Sequence, residues 1–118
     1  MLLKEKDTEI YANKITHYMS TAKPYLDANL TLPQLAIMLQ IPPHHLSRVI
    51  NEKFGINFFD FINQYRVAEV KTKIDNPEFD NLSLLGIAFD CGFNTKSAFN
   101  RVFKKMTGMT PSEFKKQP

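Results

Sequence analysis

The chain has 118 residues, room for one compact domain or two small lobes, and its 43% apolar and 23% charged content is that of an ordinary folded domain. Fifteen Lys and Arg stand against twelve Asp and Glu, a formal charge of +3; this permits a nucleic-acid partner without requiring one, so the placement of charge carries more than its sum. The single cysteine, Cys91, excludes an internal disulfide and fits a reducing compartment, no apolar run reaches the roughly 20 residues a membrane helix needs, and the opening MLLKEKDTEIYANK lacks a signal-peptide core.

The apolar period is helical almost throughout. Tyr11, Ile15, Tyr18, Met19 and Ala22 form one stripe, which suits either an extra layer on the domain or a partner helix for another domain or a second copy. Pro24 ends or bends that helix. Thr31-Leu-Pro-Gln34 is a capping box with Pro in the first turn, and Leu32, Leu35, Ala36 and Leu39 give the next helix its buried face. Ile41-Pro42-Pro43 breaks it, and a new helix starts at Pro43. Pro42 offers no cap acceptor there, a loss of about 1 kcal/mol. A longer helix over about 57–74 is apolar around more than one face, as a connector packed at each end would be. Asp75–Asn81 reads as a loop. Ser83 caps a helix that closes at Gly92, Thr95 caps one that stops at Gly108, and Thr110-Pro-Ser-Glu113 begins a short last helix over about 110–117. The predicted class is all-α, with about seven helices.

Two segments repeat. LTLPQLAIMLQIPPHHLSRVINEKFGIN and LSLLGIAFDCGFNTKSAFNRVFKKMTGMT align Thr31 with Ser83, Leu35-Ala36 with Ile87-Ala88, Ile41 with Phe93, Arg48 with Arg101 and Gly55 with Gly108. The first copy is one residue shorter between helices. Each reads helix, tight turn, helix, glycine, the pattern of a helix-turn-helix. On the second helix of each copy, one face is apolar (Leu46, Val49, Ile50 and Phe54; Phe99, Val102 and Phe103). The opposite stripes are His44, Ser47, Arg48, Asn51 and Ser97, Asn100, Arg101, Lys104. Arg can read guanine bidentately and Asn can read adenine.

Adjacent His44 and His45 point roughly 100° apart on a helix, the wrong spacing for a metal pair, and neither a metal nor a catalytic constellation is expected. The phenylalanines fall on inward faces and are expected in the core rather than as base-stacking platforms.

LTLPQLA, HHLSRVINEKFG, NFFDFINQYRV and above all IAFDCGFNTKSAFNRVFKKMTGMTPSEF resemble the DNA-binding domain of the AraC/XylS family of bacterial transcription regulators over about residues 25–116. The resemblance implies two helix-turn-helix subdomains, about 30–56 and 82–109, joined by the connector helix. Residues 1–23 form an N-terminal helix and linker, and residues 24–118 the DNA-binding domain. The recognition helices would enter successive major grooves, about 34 Å apart. Base contacts are expected from His44, Ser47, Arg48, Lys96, Ser97, Asn100 and Arg101, and phosphate contacts from Thr31, Asn51, Lys53, Ser83, Thr95 and Lys104. Arg66 matches a connector arginine with an expected structural role. The partners implied are double-stranded DNA and, as a further candidate, RNA polymerase, with no cofactor and no small-molecule ligand. A sensor or dimerisation domain is expected upstream and absent from these residues. The expected location is cytoplasmic, or the cytoplasmic end of a membrane-anchored regulator. The competing reading is a non-enzymatic helical adaptor whose basic stripes meet an acidic protein. An enzyme has little support, since glycine-rich phosphate loops and nucleophile–base pairs are missing from the sequence.

Overall fold

A computed structural model describes residues 4–117. It contains α1 Glu5–Thr21, α2 Leu32–Leu39, α3 Pro43–Phe54, α4 Phe58–Ile74, α5 Leu84–Asp90, α6 Lys96–Thr107 and α7 Pro111–Lys115. Short 3-10 turns at Pro24–Leu26 and Pro77–Phe79 complete it, and no strand occurs among the described residues. The chain packs as two units. The first is the segment up to Pro24 with Asn29–Ile62, and the second is Tyr25–Ala28 with Asn63–Pro118.

In the first unit, α1 packs on α3 and α2. Ile15 and Met19 of α1 are completely buried, as are Leu35 of α2 and Leu46, Val49 and Ile50 of α3. Burying one such side chain contributes roughly 1.5–3 kcal/mol, so α1 is an integral layer of this unit and its stripe is spent on its own core. Ala22, placed on that stripe by its spacing, is exposed at the helix C-cap. Phe61 from the start of α4 is also buried here, with its ring 4.8 Å from that of Phe54. The Thr31–Gln34 capping box forms as its sequence predicts. α3 begins at Pro43 with no side-chain cap from Pro42, also as predicted.

The second unit is built on Val67, Val70 and Ile74 of α4. These join Ile87, Ala88, Cys91, Phe93, Phe99, Val102 and Phe103 in one core. α7 closes it, with the Phe114 ring 5.5 Å from Phe103 and Lys71 Nζ 5.8 Å above the Phe114 ring. Lys73, polar where the connector runs into this core, lies 5.4 Å over the Phe79 ring. Its stem covers apolar surface while its charge stays at the edge.

Arg66 is 8% exposed. Its Nε donates to the Tyr25 carbonyl at 2.7 Å, and Nη2 to the Asp27 carbonyl at 2.9 Å. Burial pulls the guanidinium pKa down, and the Asp27 charge pulls it back up. This is the structural role expected of it, and it clamps Tyr25–Ala28 to α4. Gly92, at φ +102°, makes room for the clamp: a Cβ there would lie 2.2 Å from the Tyr25 carbonyl oxygen and 2.7 Å from Arg66 Nε.

The expectation that every phenylalanine is inward fails at two positions. Phe59 is 58% exposed and Phe89 48% exposed. Each lies on a helix whose buried face is filled by its neighbours, Phe61 and Ile62 on α4 and Ile87 and Ala88 on α5.

Candidate nucleic-acid interface

The two repeats share a turn as well as a sequence pattern. In the first, Gln40 N–H donates to the Ile37 carbonyl at 3.1 Å and Ile41 N–H to Ala36 at 3.0 Å. In the second, Gly92 N–H donates to Phe89 at 3.2 Å and Phe93 N–H to Ala88 at 3.0 Å. Gln40 and Gly92 both have positive φ, 56° and 102°. Beyond Ile41 and Phe93 the copies part. The second continues through Asn94 to Thr95, whose hydroxyl accepts from Ala98 N–H at 3.0 Å. The first goes directly from Ile41 to Pro42, so it lacks the counterpart of Asn94, and its N-cap position holds Pro42, which has no side-chain acceptor, where the second has Thr95. Both recognition helices then end alike, with Gly55 N–H donating to Asn51 and Gly108 N–H to Lys104.

Each helix buries one face and leaves the other open. Leu46, Val49 and Ile50 are buried on α3, and Phe99, Val102 and Phe103 on α6. His44, Arg48 and Asn51 are exposed, and Ser47 is half-buried. Lys96, Ser97, Asn100, Arg101 and Lys104 are all exposed. The structure thus brings the predicted base-contacting residues of each copy onto one open helical face.

The two faces differ in electrostatics. α6 carries Lys96, Arg101, Lys104 and Lys105 and no carboxylate. On α3, Arg48 Nε donates to Glu52 Oε1 at 2.8 Å. Lys53 pairs with Glu9 of α1, and this carboxylate, chiefly through that hydrogen bond, raises the Lys53 pKa. Glu5, Thr8, Arg48, Glu52 and Lys53 line a cleft of about 350 Å³. Asn51 Nδ2 donates to the Ser47 carbonyl at 3.0 Å, so this amide is folded back on its own helix.

Thr31, Ser83 and Thr95 act as N-caps, their hydroxyls accepting from the N–H groups of Gln34, Gly86 and Ala98. A hydroxyl that accepts still has its own hydrogen to donate, so capping and phosphate contact are compatible at these positions.

The helical spacing turns His45 about 100° away from His44 and its outward stripe. It is 8% exposed, its ring is 6.4 Å from Tyr11, and its Nδ1 has no hydrogen-bond partner. Its packing against α1 could have been found only by pairing the α1 stripe with α3. Glu52 lies at i,i+4 from Arg48, the spacing at which their pairing is legible in the sequence. Among the described residues no group of three or more His, Cys, Asp or Glu could hold a metal ion. No helix among them is long and apolar enough to cross a membrane.

Two tandem helix–turn–helix units, each with a polar, arginine-bearing second helix, define a bihelical nucleic-acid-binding module. A family model described as "Helix-turn-helix domain" matches residues 35–117, and the chain belongs to this family, the helix-turn-helix domain of AraC/XylS-type regulators. It is 27% identical over 89 residues to the arabinose operon regulatory protein of Escherichia coli, covering 75% of this chain and 30% of that protein. It is 28% identical over 91 residues to the uncharacterized HTH-type transcriptional regulator YtdP of Bacillus subtilis, covering 77% of this chain and 11% of that protein. The chain thus spans about a tenth to a third of the length of these curated relatives. Among solved structures, the C-terminal domain of AraT, a response regulator from Geobacillus stearothermophilus, superposes with a TM-score of 0.73 at 25% identity, over 90% of this chain and 83% of that one. The C-terminal domain of the two-component response regulator yesN from Fusobacterium nucleatum gives 0.71 at 27% identity, over 95% and 100%.

Proposed function

We propose that this chain binds double-stranded DNA sequence-specifically and serves as the output domain of a longer transcription regulator. The observation that carries the reading is the duplication: two turns with matching hydrogen bonds, each followed by a helix that exposes an arginine at the equivalent position, Arg48 and Arg101. His44, Ser47 and Arg48 on α3, and Lys96, Ser97, Asn100 and Arg101 on α6, are the base readers. Thr31, Asn51, Lys53, Ser83, Thr95 and Lys104 hold phosphates and set register. Asn51 and Lys53 must exchange their present partners, the Ser47 carbonyl and Glu9, to do so. Binding and positioning need no catalytic group, and the domain is non-enzymatic. The chain spans only about a tenth to a third of the relatives named above, which leaves room for a sensor or dimerisation domain in the longer regulator; a cytoplasmic site of action belongs to this reading because the partner is DNA. Contact with RNA polymerase would follow if the regulator activates.

Selection from random duplexes of about 30 bp at moderate salt tests this reading. Two enriched boxes about ten base pairs apart are expected, one helical turn. Arg101→Ala should then weaken binding to the selected site by about 1–3 kcal/mol and relax preference at one base position. No enrichment at any salt, or equal weakening on all sequences, overturns the base-reading role; the former returns the chain to the adaptor reading.

A further inference from the structure

Resting on the DNA-binding reading above, we propose that Glu52 is a specificity-determining residue of α3: its carboxylate holds the Arg48 guanidinium so that the free Nη groups form a fixed fork for a guanine. Arg48 uses one of its five N–H donors on Glu52, from Nε at 2.8 Å. Among the described residues the four Nη hydrogens have no acceptor, and they are the pair of donor groups that can meet guanine O6 and N7. Fold stability does not account for the pair. Its side chains are 54% and 48% exposed, and exposed ion pairs contribute little.

The equivalent arginine shows the contrast. Arg101 has Lys105 at the position of Glu52 and has no hydrogen bond or ion pair among the described residues. α6 therefore carries no carboxylate of its own beside Arg101, whereas both cations of α3 already face carboxylates, Arg48 facing Glu52 and Lys53 facing Glu9. A helix so neutralised attracts DNA of any sequence weakly. What it adds is discrimination, by fixing a long side chain before the base arrives. Ordering one such side chain is worth about 2- to 10-fold in affinity.

The test compares the unaltered chain with Glu52→Ala, Glu52→Gln and Arg48→Ala on the selected duplex. Each is also measured on duplexes with other bases at the position where Arg48→Ala relaxes preference. Glu52→Ala should shrink discrimination there about 2- to 10-fold, while tightening binding to unrelated DNA because a carboxylate near phosphate is gone. Glu52→Gln, whose amide oxygen still accepts from Nε, should keep the discrimination and show only the tightening. Undiminished discrimination in Glu52→Ala overturns the proposal and leaves Glu52 a phosphate repellent. Loss of preference at a neighbouring cytosine also overturns it, since Glu52 would then itself be the reader. Failure of the unaltered chain to bind any duplex at low salt is a separate result, and it overturns the DNA reading together with this inference.

Discussion

At the scale of single residues, the two turns make a controlled comparison. Gln40 and Gly92 occupy the same left-handed position. Gln pays a backbone penalty there that Gly does not, and nothing in the turn hydrogen bonds requires its side chain. Gln40→Gly is expected to stabilise the domain by about 0.5–1 kcal/mol in urea unfolding, the unfolded-chain entropy of Gly offsetting part of the gain. Gly92→Ala should behave in the opposite way. Its Cβ would meet a backbone carbonyl at 2.2 Å and the Arg66 guanidinium, so the clamp must open. Uncoupling Arg66 from the Tyr25 and Asp27 carbonyls leaves buried polar groups without partners, and a loss of at least about 2–3 kcal/mol is expected in the same measurement. Near-normal stability of Gly92→Ala would show that the clamp contributes little.

At the scale of elements, helix starts were the most legible feature, because capping is local chemistry. Thr31, Ser83, Thr95 and Thr110 all cap as their spacing predicts. Thr95→Ala should remove about 1 kcal/mol of stability, visible as a lower thermal midpoint. α7 adds a pH dependence. The Thr110 backbone N–H, then its hydroxyl, hold the Glu113 carboxyl below its ordinary pKa. A group depressed on folding stabilises above its unfolded pKa, and that contribution is lost as pH falls through the folded value. Glu113→Gln keeps the capping box, as Gln34 does in α2, and should flatten the acid side of the stability profile; an unchanged profile would assign the acid sensitivity elsewhere. The repeat and the outward stripes were legible for the same reason as the caps, since periodicity is written residue by residue. Less legible were the partners of Arg66, which are backbone carbonyls and leave no mark in a sequence, and the burial of His45, which depends on where α1 packs. Phe59 and Phe89 show the limit of reading hydrophobicity as burial: each helix has only one covered side, and these two lie off it.

At the scale of the whole molecule, charge is unevenly assigned. α6 holds four cations and no acid in its own sequence, while both cations of α3 face carboxylates, Glu52 and Glu9. Lys104→Ala is therefore expected to weaken binding evenly across sequences and to lower the slope of log K against log salt by about 0.9, one phosphate contact. An unchanged slope would remove Lys104 from the phosphate set. The discontinuous second unit has a different consequence, for synthesis. Tyr25–Ala28 leaves the ribosome well before Arg66 and Gly92, so a nascent chain holding only the first unit carries a strip of backbone whose receiving surface is still untranslated. The second unit is completed by residues made before the first unit is finished. A chain begun at the connector, the obvious place to cut, would start without them.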